Sequence, residues 1–273
     1  MKTSILVFAA LAFASMAAAA DRTLVWQDEF NQAPGSGPDA AKWVYDLGKD
    51  KWGNRELETY TDSRANVFVA TDPAATDGKV LVLRAVKAAD GSYTSGLLKT
   101  LGKFTARFGR FEARIKMPRG KGIWPAFWML GENIAQVKWP TCGEIDIIES
   151  LGDRPGIVYG TAHGPGYSGG HGIQGRVTLP PGEALADGYH VYAVEWSPGK
   201  VEWSFDGRVY HTITPAQLPL GTRWVYDDSP FFILLNLAVG GYWPGYPDAT
   251  TQFPQEMRID YVRVYAPAAV SKP

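Results

Sequence analysis

Residues 143–149 read Gly-Glu-Ile-Asp-Ile-Ile-Glu, so three carboxyl groups stand within six consecutive residues. In an extended strand, successive side chains point to opposite faces of the sheet. Glu144 and Asp146 therefore share one face, and the isoleucines between the acids point to the other. Glu149 stands five positions after Glu144, which under strict alternation sends it to the wrong face. One extra residue at positions 147–148 restores it, and the sequence therefore predicts a β-bulge there.

Three acids on one strand face are costly to ionise together, so at least one of their pKa values should be raised. Two carboxyls with divergent pKa values are what cleavage of a glycosidic bond requires, one as ionised nucleophile and one as protonated acid. A solvated strand face is the structural alternative, but such faces usually mix charge signs. No Lys or Arg stands between Lys138 and Arg154, and tryptophans 124, 128 and 139 lie just upstream. The pattern favours the catalytic interpretation.

Strand-like segments recur along the rest of the chain, with turn residues between them. Several alternate apolar and polar residues, which is the period of a sheet with two different faces. No stretch after the N-terminal twenty residues shows a sustained helical period, and there is no internal repeat or low-complexity linker. These features predict an all-β sandwich that forms one domain. The predicted strands include residues 79–86, 107–117, 143–150, 189–196, 201–205, 230–238 and 257–265.

Composition excludes several classes of function. The chain has 273 residues, with 27 Lys and Arg against 28 Asp and Glu, so no basic excess is available to hold a nucleic acid. A single cysteine, Cys142, rules out an intramolecular disulfide and a cysteine-cluster metal site. We expect this thiol to be buried as a small hydrophobic group. The 10 Trp, 13 Tyr and 12 Phe instead suggest a flat, partly apolar ligand.

The first twenty residues have the pattern of a secretory signal. Lys2 supplies a positive charge, an apolar stretch follows at 5–13, and three alanines at 18–20 precede Asp21. We therefore predict a signal peptide over 1–20 and a single catalytic domain over 21–273. Because no later segment has the length of a membrane span, we expect a secreted protein, extracellular or periplasmic, that has no membrane or nucleic-acid partner. We also expect a monomer.

Motifs beyond the carboxylate strand extend from residue 26 to residue 265, and their order makes a family resemblance specific. The chain resembles glycoside hydrolase family 16, the laminarinase-like endo-β-glucanases, whose signature strand is Glu-x-Asp-x-(x)-Glu. Residues 144–149 match the longer, bulged form of that signature. The further matching blocks are WQDEF at 26–30, WGN at 52–54 with Glu56, Glu58, Tyr60 and Thr61, GRFEAR at 109–114, WPAFWML at 124–130, WP at 139–140, NLAVGG at 236–241, WPG at 243–245 and DYVRVY at 260–265.

The resemblance implies a β-jelly roll of the concanavalin A-like type: two curved antiparallel sheets, with a substrate cleft across the concave face. It implies a retaining mechanism in which Glu144 is the nucleophile, Glu149 is the general acid/base, and Asp146 lies between them. His163 matches a histidine on the following strand. The resemblance implies that its imidazole contacts the acid/base or the leaving sugar, with a purely structural histidine as the alternative.

Sugar-binding residues are also implied by the family motifs. A pyranose ring packs its C–H face on an indole, and its hydroxyls require polar partners. The resemblance places Trp124, Trp128, Trp139 and Trp243 in the cleft and makes Asn54 a donor to a sugar hydroxyl, with a turn asparagine as the alternative. The remaining tryptophans that we interpret as core residues are Trp26, Trp43, Trp196 and Trp203.

No cofactor is expected for catalysis. Many members of the family hold a structural calcium ion on the convex side, through an Asp of the last strand and backbone carbonyls. Asp260 matches the former, and Glu29 and Gly78 are candidates for the latter. An ordinary hydrogen bond of Asp260 is an equally open alternative.

The expected substrate is a β-glucan. The bulged signature resembles that of β-1,3-glucanases, which implies an endo-β-1,3-glucanase. Alternatives remain open: a mixed-linkage β-1,3-1,4-glucanase, an agar or carrageenan hydrolase, a transglycosylase, or a non-catalytic glucan-binding protein. Sulfated galactans would favour a cleft rich in Lys and Arg. A glucan-binding protein would usually have lost the catalytic acids, and Glu144, Asp146 and Glu149 are all present.

Overall fold

Alternation of buried and exposed side chains along many short segments produces two stacked β-sheets. A computed structural model describes residues 22–49 and 52–267. The predicted signal peptide, residues 1–20, lies outside these residues. The seventeen strands of the described residues are β1 Leu24–Asp28, β2 Val44–Tyr45, β3 Glu58–Tyr60, β4 Val67–Thr71, β5 Lys79–Lys87, β6 Tyr93–Ser95, β7 Leu97–Lys99, β8 Gly109–Lys116, β9 Ile123–Gly131, β10 Glu144–Glu149, β11 Ile157–His163, β12 Ile173–Thr178, β13 His190–Ser197, β14 Lys200–Phe205, β15 Arg208–Ile213, β16 Phe231–Val239 and β17 Gln255–Tyr265.

Helical structure is short. Among residues 22–49 and 52–267 it comprises one α-helical turn, Ile134–Val137, and the 3₁₀ turns Gly169–His171 and Pro215–Gln217. No helix of residues 22–49 and 52–267 has the length and apolarity that crossing a bilayer requires.

The strands form a ten-stranded and a seven-stranded sheet. The larger sheet has the order β15-β14-β13-β8-β17-β5-β6-β3, with β1 beside β17 and β4 beside β5. The smaller sheet has the order β12-β11-β10-β9-β16-β7-β2. Neighbouring strands are antiparallel, as predicted, apart from β3 and β6, which run parallel. A parallel pair needs a long crossover, and here the chain passes through β4 and β5 before it returns. The all-β jelly roll predicted from the sequence is confirmed.

The main core lies between the two sheets. Strand β16 is buried on both of its faces, and each face packs into a different apolar cluster. All nine of its residues are buried. Its alternate side chains, Phe231, Ile233, Leu235, Leu237 and Val239, join the core between the sheets. Phe232 and Leu234 point the other way, into a second apolar cluster that also contains Cys142. The expected burial of the single thiol is confirmed.

Each predicted strand overlaps an observed strand, and β9 is among the observed strands that the sequence did not predict. It lies at the middle of the seven-stranded sheet, between β10 and β16. Pro125 interrupts its apolar run, and proline is uncommon in a central strand because it donates no hydrogen bond. Here Pro125 stands opposite Leu237 of β16 and uses its carbonyl to accept from the Ser150 amide, at 3.3 Å. The strand ladder is therefore preserved around it.

Candidate active site

The bulge in β10 is present where the spacing predicts it. Against β9, Asp146 pairs with Trp128 and Ile148 pairs with Phe127, so Ile147 is the additional residue. Against β11, the register shifts between Asp146 and Glu149. This insertion returns Glu149 to the face that carries the other two acids.

The side chains of β10 divide cleanly between core and cleft. Ile145, Ile147 and Ile148 all belong to the core between the sheets. Glu144, Asp146 and Glu149 line a cleft of about 850 Å³ on the opposite face. The cleft lining consists of Trp52, Asn54, Glu56, Tyr60, Leu97, Trp124, Ala126, Trp128, Leu130, Ile134, Trp139, Glu144, Asp146, Glu149, Thr161, His163, Gly169, Gly170, Gly172, Gln174, Asn236, Ala238, Tyr242 and Trp243.

Glu144 is held by an indole at the rim of the cleft. Trp139 Nε1 donates to Glu144 Oε2 at 2.6 Å, although the Trp139 side chain itself is 46% exposed. Burial, and secondarily the charge of Asp146, raises the pKa of Glu144 to about 8, while His163 and the Trp139 hydrogen bond oppose that rise. The indole N–H stabilises the ionised form of this carboxyl. A carboxylate stabilised in this way inside a cleft is suited to act as a nucleophile.

Asp146 lies between the two glutamates and is only 2% exposed. Its carboxyl hydrogen-bonds to that of Glu144, and burial raises its pKa to about 7. His163 Nε2 lies 3.1 Å from Asp146 Oδ2 and 3.9 Å from Glu144 Oε1. The three groups thus sit close enough for one proton to be shared between Glu144 and Asp146.

His163 contacts Asp146 and Glu144 and not the expected acid/base, Glu149, and the alternative contact with the leaving sugar stays a prediction. In the β10–β11 register, His163 pairs with Glu144, whereas Glu149 pairs with Tyr159. Four residues of strand separate these positions, roughly 13 Å. The strand pairing, which the sequence did not supply, therefore assigns the imidazole to Asp146 and Glu144.

Glu149 lies at the other end of the carboxylate row. Trp124 Nε1 donates to Glu149 Oε1 at 3.0 Å. Burial, followed by the charge of Asp146, raises the pKa of Glu149 well above its usual value, although His163 and the Trp124 hydrogen bond oppose the rise. Trp243 packs edge-on against Trp124, with ring centroids 5.6 Å apart, and also contacts Tyr159. A buried carboxyl whose pKa is raised is suited to act as a general acid.

Trp128 lies on the cleft floor and contacts Asn236, a motif residue for which the sequence predicted no site role. Its indole Nε1 donates to Asn236 Oδ1 at 2.8 Å, and Trp52 packs against its ring at 5.8 Å. Asn236 in turn donates to the Tyr60 hydroxyl at 3.1 Å. A signal for Asn236 was available, because it is the single polar residue within the apolar strand β16. Trp52, Glu56 and Tyr60 belong to the matching motifs but had no predicted site role, and Gln174 and Tyr242 were not predicted; all five line the cleft.

Asn54 lies in the cleft lining as expected, on the loop before β3. Its Nδ2 donates to Glu56 Oε1 at 3.1 Å, and its backbone carbonyl accepts from the Tyr242 amide at 3.0 Å. The second N–H and the Oδ1 atom of the side-chain amide are the groups it has to offer a ligand.

A glycine-rich turn before β12 packs directly on the His163 ring. A Cβ atom added at Gly172 would lie 2.3 Å from His163 Cε1 and 2.7 Å from Thr161 Cγ2. Both neighbours line the cleft, so glycine at this position allows the turn to close over the imidazole.

The predicted tryptophan groups separate as expected. Trp124, Trp128, Trp139 and Trp243 all line the cleft. Trp43, Trp196 and Trp203 are buried in the core, and Trp26 packs against it.

The proposed calcium ligands do not form a calcium site as arranged here. The Asp260 carboxylate forms an ion pair with Arg114 and accepts hydrogen bonds from the amide and the hydroxyl of Thr76. Glu29 and Gly78 are the expected backbone carbonyl ligands; the Gly78 carbonyl accepts the Asp72 amide at 3.0 Å, and the Glu29 carboxylate pairs with Arg263 through two hydrogen bonds of 2.8 Å. Because arginine already supplies the positive charge at Asp260, this donor set does not fit a calcium ion, and the ordinary polar contact is the arrangement found.

Comparison with known proteins gives consistent matches over both sheets. The sequence profile of the glycosyl hydrolases family 16 matches residues 61–263. The β-glucanase of Rhodothermus marinus is 40% identical over 254 residues, which cover 89% of this chain and 84% of that protein. The catalytic domain of an endo-1,3-β-glucanase (laminarinase) from Thermotoga petrophila superimposes with a TM-score of 0.81 at 48% identity, covering 91% of this chain and 99% of that one. The endo-β-1,3-glucanase from Pyrococcus furiosus gives a TM-score of 0.80 at 47% identity, covering 89% of this chain and 94% of that one.

Proposed function

The chain belongs to glycoside hydrolase family 16, and from this premise we propose that it is a secreted endo-β-1,3-glucanase that cleaves laminarin-type glucan with retention of configuration. One observation carries the proposal. Three carboxyls share one face of a bulged strand inside a cleft, and each glutamate receives its own indole N–H. This gives two chemically distinct carboxyl sites on one strand.

In the first step, Glu144 attacks the anomeric carbon while Glu149 gives its proton to the glycosidic oxygen. The bond between the anomeric carbon and that oxygen breaks, the shortened chain leaves as an alcohol, and a glycosyl ester forms on Glu144. The proton shared between Glu144 and Asp146 must reside on Asp146 for this attack. The Trp139 N–H at 2.6 Å and the nearby His163 favour the ionised form of Glu144.

In the second step, Glu149, now ionised, removes a proton from a water molecule that attacks the same carbon. The ester bond breaks, Glu144 returns as a carboxylate, and Glu149 regains its proton. The Trp124 N–H at 3.0 Å stabilises Glu149 during the interval in which it is charged.

The cleft chemistry supports a neutral glucan as the substrate. Among the described residues that line the cleft, four are carboxylic acids and none is Lys or Arg. An anionic polysaccharide such as a sulfated galactan would meet like charges there, at a cost in affinity. The indole rings and the amides of Asn54, Gln174 and Asn236 instead match the C–H faces and hydroxyls of glucose units.

Secretion and domain organisation complete the proposal. Residues 1–20 would be removed on export, and residues 21–273 would act as a single catalytic domain, as a monomer. The net charge after removal of Lys2 is slightly negative, with 26 basic against 28 acidic residues. We propose no structural calcium ion at Asp260, for the reason given above.

Product analysis on laminarin, lichenan, agarose and carrageenan in parallel tests the substrate. We expect short oligosaccharides from laminarin, less from lichenan, and nothing from the two galactans. Retained binding to laminarin without reducing-sugar release would support a glucan-binding protein instead, and longer products from added oligosaccharide acceptors would indicate a transglycosylase.

Azide rescue tests the two roles on a glucoside with a good leaving group. Glu149→Ala with azide should give a glycosyl azide of retained configuration, because the glycosyl ester still forms. Glu144→Ala with azide should give the inverted product, because azide then attacks in place of the nucleophile. The same configuration from both variants would contradict the assignment.

A further inference from the structure

The loop that carries Asn54 is fastened to the end of β16 through a buried carboxyl. Glu58, at the start of β3, is 2% exposed, and its Oε2 accepts the Val239 amide at 2.7 Å. The Val239 carbonyl accepts the Leu57 amide at 2.8 Å. Together these bonds fix the position of Asn54 relative to the cleft floor.

The other oxygen of Glu58 has no donor. Oε1 is buried, and no N–H or O–H group of the described residues donates to it. Glu56 lines the same small pocket as Glu58, and its carboxyl is likewise an acceptor when ionised. Two neighbouring carboxyls repel one another when both are ionised, so a proton on one of them is favoured. Burial, and then the charge of Glu56, raises the pKa of Glu58 to about 8, so the proton is present at neutral pH.

Glu56 connects this shared proton to the groups that face the sugar. Its Oε1 accepts Asn54 Nδ2 at 3.1 Å, and its Oε2 accepts the Tyr60 hydroxyl in a long contact of 3.5 Å. The Tyr60 oxygen accepts Asn236 Nδ2 at 3.1 Å, and Asn236 accepts the Trp128 indole N–H at 2.8 Å. One line of hydrogen bonds therefore runs from the cleft floor at Trp128 to the loop at Asn54.

We propose that Glu58 is a positioning residue for sugar binding: it holds a proton shared with Glu56, and the pair orients Asn54 and Tyr60 toward the glucan. The inference rests on the proposed function, because the cleft must bind a glucan. The charged and titratable groups around the pair are Tyr60 on the same strand and Lys49 and Arg55 on the preceding loop.

Loss of the shared proton should weaken binding and leave the chemical step intact. Two ionised carboxyls in contact repel one another, and Glu56 is then drawn away from its bonds to Asn54 and Tyr60. The catalytic carboxyls on β10 are not part of this line of hydrogen bonds. The expected signature is therefore a rise in KM with little change in kcat.

Two variants test the proposal with a β-1,3-linked glucose hexasaccharide. Glu58→Gln keeps the acceptor for Val239 and supplies a permanent N–H to Glu56, so KM at pH 6 should stay within about twofold of wild type. Glu58→Leu removes both groups, and KM should rise about 5- to 50-fold with kcat changed less than about threefold. Glu256→Gln, on the ten-stranded sheet, is the matched control and should change neither constant.

Equilibrium binding measured at pH 6 and pH 9 separates the effect of the proton held by Glu58 and Glu56 from the other effects of pH. Calorimetry compares Glu144→Gln with the double variant Glu144→Gln/Glu58→Gln, so that catalysis is absent from both. The affinity of the first should fall more between pH 6 and pH 9 than that of the second. Equal falls would overturn the proposal, as would a Glu58→Leu protein that loses kcat while KM is unchanged.

The two proposals fail differently. A wild-type protein that cleaves none of the four polysaccharides refutes the proposed function. The proposal for Glu58 is overturned as well only if the affinities of Glu144→Gln and Glu144→Gln/Glu58→Gln fall equally between pH 6 and pH 9. If Glu58→Leu does not fold, as judged by circular dichroism, the comparison between Glu144→Gln and its double variant still decides.

Discussion

The outer faces of the two sheets carry the same residue types and use them in opposite ways. On the ten-stranded sheet, carboxylates are matched by arginines: Glu29 with Arg263, and Asp260 with Arg114. On the seven-stranded sheet, Glu144, Asp146 and Glu149 share a cleft whose described lining contains no Lys or Arg. The carboxylates of the first face are balanced by arginines, whereas those of the second face have no Lys or Arg beside them in the described cleft lining.

The pKa shifts follow this difference. Burial acts against ionisation of Asp72, which directly follows β4 of the ten-stranded sheet, yet hydrogen bonds from Tyr189 and Ala74 together with Arg258 lower its pKa below the usual value. In the cleft, burial dominates and raises the pKa of all three acids. At the two glutamates His163 is the main counterweight, followed by an indole N–H, and at Asp146 it is the hydrogen bond with Glu144. A carboxylate paired with arginine stays ionised, whereas a buried carboxyl with a raised pKa can take up and release a proton.

Removing the cleft acids should have the largest effect. Glu149→Gln should lower kcat by about 10²–10⁴-fold, because the amide cannot protonate the leaving oxygen. Glu144→Gln should lower it on the order of 10⁴-fold or more, because no covalent intermediate can form. Binding of a glucan oligosaccharide, measured by calorimetry, should persist in both. Full turnover by either variant would overturn the mechanism.

Breaking a pair on the opposite sheet should change stability and spare catalysis. Arg114→Met leaves the buried Asp260 charge with only its Thr76 contacts, at a cost of roughly 2–3 kcal/mol. For a domain of this size that corresponds to a fall in Tm of about 4–10 °C by calorimetry.

A matched control is available in the exposed pair of Arg119 and Asp187, whose side chains are 54% and 57% exposed. Arg119→Met should cost less than about 1 kcal/mol, since exposed ion pairs contribute little. A large loss of kcat in Arg114→Met with unchanged Tm would contradict the division between the two faces.

The two indoles should move opposite limbs of the pH–rate profile. Each N–H stabilises a carboxylate, so its loss raises the pKa of its partner. Trp139→Phe should move the acid limb to higher pH by about 0.5–1 unit, because Glu144 then ionises later. Trp124→Phe should move the alkaline limb to higher pH by a similar amount, because Glu149 then keeps its proton longer. A downward shift of either limb would show that these bonds favour the neutral form.

Chelation should have the smallest effect. Asp260 already has Arg114 as its counter-charge, so treatment with a calcium chelator should change Tm by less than about 1 °C. A fall of several degrees that added calcium reverses would show that an ion displaces Arg114 from Asp260 in solution.

Much of the catalytic strand follows from sequence alone. The two-residue period of a strand fixes which side chains share a face, and this local rule is enough to place Glu144 with Asp146 and to require the bulge before Glu149. The family motifs add the cleft tryptophans, all four of which line the cleft. The predicted boundaries of the apolar strands were close to the observed ones. Strand β9 was not predicted, because Pro125 within it is a residue that usually ends a strand.

What the tertiary structure decided is which side chains meet across strands that are far apart in the chain. Local alternation says nothing about register, so it could not tell that His163 faces Glu144 instead of Glu149. It likewise gave no sign that Asp260 meets Arg114, which stands 146 positions away, or that Glu58 meets the Val239 amide, 181 positions away. The face of a strand is set by the pleat of its own backbone, whereas partners are set by the packing and register of the whole sheet.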